Sequence, residues 1–307
     1  MVADARDTFD TLTGYAFASD PLDRADHLRA DADALARLWP QARVLVVDSE
    51  GRAGADAAGQ CLAPTGEAVG GGPGTAIFLG LRGDTAWFAL DAGAVAWQPA
   101  QSIDLRRAAA HWPEAEAGTF ALARALLHWQ SRTRYCGICA GAIEFRRAGY
   151  LGHCTQCGAE QYPRVDPAVI VAVTDGARLL LGRHPGWPPR RYSVIAGFVE
   201  PGETLEQTVA REVMEETGVR VNRSRYLAAQ PWPFPGALML GFHADAEPDE
   251  PRVDGIELED ARWVGADEIG AALQRGHDDD GDGLLLSPRI SIARSLIEYW
   301  YARQMRR

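Results

Sequence analysis

The sequence predicts a mixed protein of α+β and α/β layers in more than one domain, and three observations predict it. Strand-like and helix-like runs interleave without the regular spacing of a βαβ repeat. Four of the five cysteines fall between Cys136 and Cys157, setting a short cysteine-rich segment between two longer stretches. A length of 307 residues, 47% hydrophobic and 24% charged, suits about two globular domains with sizeable cores.

In chain order, the first stretch carries an expected helix over residues 23–38 and then three short apolar runs, RVLVVD, AIFLGL and TAWFAL, expected as strands. Residues 51–74 are rich in Gly and Ala and poor in large apolar side chains, so a long flexible loop is expected there, with Cys61 an incidental thiol. A helix is expected over residues 114–130, ahead of the cysteines. Beyond them, PAVIVAVTDGARLLLGR reads as two strands about an Asp-Gly turn. Further strands are expected at YSVIAGFVE, ALMLGFHA and DARWVG, with helices over 205–217, 266–274 and 288–305. The expected domains are 1–130, 131–163 and 164–307.

Lys and Arg total 31 against 42 Asp and Glu, and the net charge of −11 disfavours indiscriminate binding to nucleic acid. No run has the length and apolarity of a membrane span, and the start, MVADARDTFD, is acidic where an export signal is basic. A cytoplasmic location with no membrane partner is expected. Clustered cysteines in such a chain favour metal thiolates over disulfides.

Cys136-Gly-Ile-Cys139 and Cys154-Thr-Gln-Cys157 are two C-x-x-C knuckles fourteen residues apart. Two knuckles aim four thiolates at one point, the tetrahedral sulfur shell that Zn²⁺ favours. With every position a cysteine, no ligand slot is left for water. A structural zinc ribbon is therefore expected. His153, beside Cys154, would have to displace a thiolate to join the shell.

The stretch GFVEPGETLEQTVAREVMEETGV, residues 197–219, carries the chemistry. Gly197, Pro201 and Gly202 mark a loop, Glu203 and Thr204 open a helix, and Gly218 closes it. At helical spacing Leu205, Val209 and Val213 form one stripe, and Glu212 and Glu216 fall on it. An inward carboxylate is costly unless something compensates it. Glu212, Glu215 and Glu216, at i, i+3 and i+4, offer hard oxygen ligands suited to Mg²⁺ or Mn²⁺. Arg211 is free to pair with Glu203 and brace loop against helix.

Gly197, five residues, Glu203, seven residues and then Arg211-Glu212-Val213-Met214-Glu215-Glu216-Thr217-Gly218-Val219 resembles the Nudix box at every fixed position. The resemblance implies a Nudix α/β/α sandwich that hydrolyses a nucleoside diphosphate linked to another group. It also implies that Glu212, Glu215 and Glu216 hold divalent ions with help from a backbone carbonyl at Ala196 or Gly197.

Gln230-Pro231-Trp232-Pro233-Phe234-Pro235 is a proline-stiffened segment presenting two aromatic rings, able either to stack a base or to anchor a surface loop. From Ala229 it resembles the SQPWPFPxS motif of NADH pyrophosphatases, and zinc knuckles followed by YPRVDP and a Nudix box resemble the same family. The likeness runs from Tyr135 to about Arg294. Ala229 and Ala237 stand where that family has serines, so a hydroxyl contact to substrate at 237 is absent. By the same resemblance Glu257 matches a further metal ligand, Tyr162 and Ala293 match substrate-contacting positions, and a homodimer is implied. The run from Asp278 to Gly283 begins like a calcium loop, but Arg289 stands where the last bidentate glutamate belongs, which rejects an EF-hand.

The expected reaction is hydrolysis of the pyrophosphate of NADH, or NAD, to nicotinamide mononucleotide and AMP. Glu216, Glu215 and Glu212 are the catalytic candidates, and Glu216 or Glu215 is better placed than Glu203 to deprotonate the attacking water. One alternative is removal of NAD caps from RNA 5′ ends, with Arg183, Arg190 and Arg191 as a local basic patch. The other is a non-catalytic zinc-ribbon regulator, against which the intact glutamate set argues.

Overall fold

A computed structural model of the protein describes residues 12–18, 22–253, 255–276, 279 and 281–306. Asp278 and Asp280 of the calcium-like run lie outside the described residues. Two compact units result. One comprises Phe17–Val165 with Pro231–Gly236, the other Asp166–Gln230 and Ala237–Arg307 with the segment ending at Ala16.

The first unit is built on strands β1 (Arg43–Val47), β2 (Ala53–Ala55), β3 (Ile77–Arg82), β4 (Thr85–Asp91) and β5 (Gln101–Ile103), in the order β3-β4-β1-β2-β5. Only β1 and β4 run parallel, with Val44 opposite Phe88. β1 is buried at every residue after Arg43, and its apolar run reflects cover on both faces. Trp39 packs edge-on to Phe88 at 5.2 Å within one cluster, and helix α4 (Glu114–Arg132) lies on β1, β3 and β4.

Two expectations are corrected here. The helix over 23–38 is a 3-10 turn, Asp26–Ala30, followed by α1 (Ala32–Leu38), because Asp31 leaves helical geometry and its carboxylate accepts the Ala34 N–H as a cap. Residues 51–74 are not one long loop but hold β2 and the short helix α2 (Gly66–Val69), capped by Thr65. At Gly54 the small side chain is a packing requirement, since a Cβ there would come within 3.1 Å of Pro99 and 3.2 Å of Trp97, whereas Gly70, Gly71, Gly72 and Gly74 meet nothing within 4 Å. Burial pushes the Cys61 thiol up to about 12, which leaves it protonated and inert at neutral pH. Helix α3 (Leu105–His111), capped by Asp104, precedes α4.

The cysteine-rich segment forms a small antiparallel sheet of β6 (Ile143–Arg146), β7 (Leu151–Cys154) and β8 (Glu160–Gln161). β6 is exposed at most of its residues, so the segment has little apolar core of its own.

The second unit centres on β9 (Asp166–Thr174), which pairs antiparallel with β10 (Arg178–Arg183) and parallel with β14 (Ala237–Ala246). The Asp-Gly turn joins β9 to β10, with Gly176 at φ +102° and the Asp175 carboxylate accepting the Ala177 and Arg178 N–H groups. β12 (Ile195–Phe198) also pairs with β9, and β13 (Val221–Trp232) and β15 (Asp260–Gly265) flank the sheet. Along β9 the side chains alternate between two cores. Val169, Val171 and Val173 meet Val209 and Val213 of helix α5 (Leu205–Thr217), and Ile170 and Ala172 meet Leu296 and Trp300 of helix α7 (Ile292–Gln304). Helices therefore cover both faces, giving the α/β/α sandwich. β11 (Arg191–Tyr192) pairs with β16 (Leu285–Leu286), and α6 (Ala266–Gln274) packs on α7. No helix among the described residues is long and apolar enough to cross a membrane.

Candidate active site and zinc centre

Helix α5 begins at a capping box. Thr204 accepts the Gln207 N–H while the Gln207 side chain returns to the Thr204 N–H, and Gly218 ends the helix in the left-handed region at φ 67°. Val209 and Val213 enter the core with no exposure, and Glu212 and Glu216, on the same stripe, are buried at 8% and 9% exposure. Glu215 projects to solvent. Loss of hydration raises the Glu212 pKa, against the pull of Arg211, and the neighbouring charges of Glu215 and Glu257 add to the rise. Glu257, on an exposed stretch, thus lies within electrostatic reach of Glu212.

Arg211 is the counter-charge of this end of the helix. Its guanidinium grips Glu203 bidentately at 2.6 and 2.9 Å, donates to the Phe198 carbonyl at 3.0 Å, and reaches Glu212 and Glu215, each at 3.0 Å. This contact holds the Glu203 carboxyl down at about 2, so Glu203 stays ionised and braces the loop.

Gly197 faces Glu212 so closely that a Cβ would stand 1.8 Å from the Glu212 Cδ and 2.0 Å from Oε1. The carboxylate is thus cradled against the backbone of β12, one residue from the carbonyl of Ala196. This cradle and the all-oxygen donor set fit a hard divalent cation. Gly197→Ala is expected to expel the Glu212 carboxylate, lowering stability by about 1–3 kcal/mol and suppressing metal-dependent turnover. Unchanged melting and kinetics would place Glu212 outside the site.

The four cysteine side chains converge. Cys136, Cys139, Cys154 and Cys157 bring their Sγ atoms within 4.8 Å of one another, the one such group of His, Cys, Asp or Glu among the described residues. The Cys136–Cys157 and Cys139–Cys154 pairs stand at 3.7 and 3.4 Å. Four sulfurs in a tetrahedron about zinc stand about 3.8 Å apart, from a Zn–S bond of about 2.3 Å, so the group fits that ion. The knuckle backbone supports ionised sulfur. Ile138 N–H points at the Cys136 Sγ, and the N–H groups of Cys157 and Gln156 at the Cys154 Sγ, holding Cys154 down at about 6. His153 is not in the group.

The proline-aromatic segment divides in two. Gln230 is fully buried, and its amide donates to the carbonyls of Ala16 and Ile290 at 2.9 and 2.7 Å and accepts the Ile292 N–H at 2.8 Å. That ties three backbone groups. Pro231, Trp232, Pro233, Phe234 and Pro235 belong to the first unit, where the Trp232 and Phe234 rings lie 4.9 Å apart and each 6.4 Å from Phe17. The Arg106 guanidinium lies over Phe234 at 3.9 Å, and Arg124 lies over the same ring and donates to the Pro233 carbonyl. No local sequence signal marked Arg106 or Arg124, because they sit on α3 and α4, far away in the chain. Tyr162 is exposed, its hydroxyl donating to Glu160 at 2.6 Å. Ala293 is buried in the core in the first turn of α7, its N–H donating to the Ser291 cap. Among the arginines of the suggested basic patch, Arg183 pairs with Glu259, and Arg190 donates to the carbonyls of Gly283 and Asp279.

Comparison with known proteins follows the same division. A family model described as "NUDIX domain" matches residues 164–284, and one described as "NADH pyrophosphatase-like rudimentary NUDIX domain" matches residues 38–129. The chain is 41% identical over 290 residues to "NAD-capped RNA hydrolase NudC" of Mycobacterium bovis, covering 91% of this chain and 92% of that protein. It is 45% identical over 179 residues to the protein of the same name from Stutzerimonas stutzeri, covering 58% of this chain and 60% of that protein. It is 42% identical over 197 residues to human "NAD-capped RNA hydrolase NUDT12", covering 61% of this chain and 42% of that protein.

Proposed function

This chain belongs to the NADH pyrophosphatase family of Nudix hydrolases, of the NudC type, and we propose that it splits the pyrophosphate of NADH or NAD into AMP and, respectively, the reduced or the oxidised nicotinamide mononucleotide. The observation that carries the proposal is the cradle of Gly197 around the buried Glu212, on the same helix stripe as buried Glu216. Glu212, Glu215, Glu216 and Glu257, with the Ala196 carbonyl, are the residues that would hold Mg²⁺ or Mn²⁺. Such ions, when bound, neutralise the pyrophosphate and acidify the attacking water. Around them the chain's own groups divide the work. Glu216 or Glu215 takes the water's proton as one P–O bond to the bridging oxygen breaks. Glu203 is unsuited to that step, since a carboxylate held at about 2 is a feeble base, and it serves with Arg211 and Gly218 to hold the loop and helix.

In this reading the domains are 1–130, 131–163 and 164–307, the four cysteines hold a structural Zn²⁺, and the enzyme works as a cytoplasmic homodimer. Tyr162, Ala293 and the segment from Gln230 to Pro235 contribute to substrate binding, Gln230 through the backbone it ties together. AMP release from NADH, NAD, ADP-ribose and diadenosine substrates, with and without Mg²⁺, tests the proposal. The expected result is Mg²⁺-dependent release with NADH or NAD preferred, and a clear preference for ADP-ribose or diadenosine substrates would overturn it.

A second reading, removal of NAD caps from RNA, is favoured by the names of relatives as much as 41% identical over 91% of this chain. It uses the same bond cleavage. Turnover of NAD-capped RNA and free NADH at a stated salt concentration distinguishes the two, because phosphate contacts to RNA weaken steeply with salt.

Trp232 and Phe234 allow a sharper test of selectivity. Truncating both to Ala is expected to raise the KM for NADH by an amount corresponding to about 1–3 kcal/mol per stacked base and to change the ranking among NADH, NAD and ADP-ribose. An unaltered ranking with a large fall in melting temperature would reduce the pair to an anchor packed on Phe17, Arg106 and Arg124.

A further inference from the structure

The proline-aromatic segment has little means of holding its own rings in place. Pro231, Pro233 and Pro235 have no N–H to donate, and the Phe234 N–H turns back onto the Trp232 carbonyl at 2.7 Å. Side chains from elsewhere in the first unit fix the rings instead. Arg106, exposed on α3, stands 3.9 Å from the Phe234 ring and 5.7 Å from Trp232, so one guanidinium faces both. Arg124, on α4, lies 5.2 Å from Phe234 and donates to the carbonyl of Pro233, a buried residue. A planar guanidinium can do both at once, with an N–H at its edge and a face for the ring. Its place is made by Gly51 in the turn between β1 and β2, at φ +74°, where a Cβ would stand 2.7 Å from the Arg124 Nε. Burial first, and then the neighbouring Arg106, lower the Arg124 pKa, while Asp104 at the cap of α3 opposes them.

We propose that Arg124, seconded by Arg106, is a specificity-determining positioning residue, which sets the tilt at which Trp232 and Phe234 meet a nucleotide base and so which dinucleotide binds best. Arg124 touches neither substrate nor metal in this role, which rests on the reading of the segment as a substrate-binding loop. The reason is geometric. The two rings stand 4.9 Å apart at 60° to one another, so a flat base can lie along only one of them. The orientation of the pair therefore decides which ring a base meets. Apolar packing on Phe17 alone has no preferred direction, whereas the bond to the Pro233 carbonyl and the guanidinium over Phe234 fix both position and rotation. In this way a helix far upstream in the chain, with no catalytic group of its own, acts on substrate choice.

The test is a mutant cycle on the full chain, with Arg124→Ala made both in the wild type and in the Trp232→Ala, Phe234→Ala background. Steady-state AMP release from NADH, NAD and ADP-ribose at saturating Mg²⁺ gives KM and kcat for each. In the wild-type background Arg124→Ala is expected to raise the KM for NADH at least about threefold, the scale of one cation–π contact, and to leave kcat within about twofold. It should shift the ranking of the three substrates in the same direction as truncating the two rings. Once the rings are gone, it should raise KM no further, which an independent or merely stabilising role would not produce. Should Arg124→Ala fail to fold, Arg106→Ala, at an exposed position, enters the same cycle with the same expected loss of effect. An equal rise of KM in both backgrounds, a loss carried by kcat, or unaltered KM and ranking would overturn the role of Arg124. In each of those cases a change of KM on truncating the rings leaves the substrate-binding reading of the segment standing. Truncated rings that leave KM and ranking unchanged would overturn that reading and the role of Arg124 together.

Discussion

Glu216→Gln is expected to leave the fold intact and to lower turnover by about 10²–10⁴-fold, the range attributed to a positioned catalytic acid or base. Glu216 is 9% exposed on the stripe that carries Val209 and Val213, where an amide fills the volume of the carboxylate. The substitution removes the charge that draws a divalent cation and the basicity that takes a proton. Because Arg211 is bonded to Glu203, Glu212 and Glu215, the loop brace is expected to persist and melting to change little. Steady-state kinetics over a range of Mg²⁺ concentrations, beside a melting curve, measure both. Near wild-type turnover in pure, folded Glu216→Gln protein would sink the assignment of this helix face as the metal site.

Cys136→Ser is expected to abolish stoichiometric zinc and to lower the melting temperature sharply. A structural zinc shell contributes apparent binding energy of about 10–16 kcal/mol in small metal-organised peptides, much of it folding energy. The segment has little else to rely on, since β8 is two residues long and β6 is mostly exposed. Cys136 itself is buried and meets Cys157 at 3.7 Å, so a hydroxyl there leaves three thiolates facing a weaker ligand. Elemental analysis of the purified variant is decisive. Zinc content equal to wild type would rule out the four-thiolate shell.

Where structure follows from neighbours within one or two turns of chain, the sequence alone determined it. The bounds of α5, Leu205–Thr217, follow from Thr204, Gln207 and Gly218, because capping and the left-handed stop act within four residues. The knuckles of Cys136 to Cys157 were legible for the same reason, as was the turn at Gly176, where the backbone needs positive φ. Inward placement of Glu212 and Glu216 followed from the helical period and their apolar neighbours. The tertiary structure decided what depends on distant partners. Ala53–Ala55 became a strand because β1 and β5 supply its hydrogen bonds, and Gly54 is small because Pro99 and Trp97 press on it. Val221–Trp232, with few buried side chains, became a strand by pairing with β14. Only the fold showed that Gln230 is consumed by backbone at Ala16, Ile290 and Ile292, and that Pro231–Gly236 joins the unit holding Arg106 and Arg124. It likewise brought Arg106 and Arg124, from two different helices, onto the one ring of Phe234. Local hydrogen-bonding rules are written in adjacent residues, whereas strand pairing, close packing and charge convergence depend on which distant segments the folded backbone brings together.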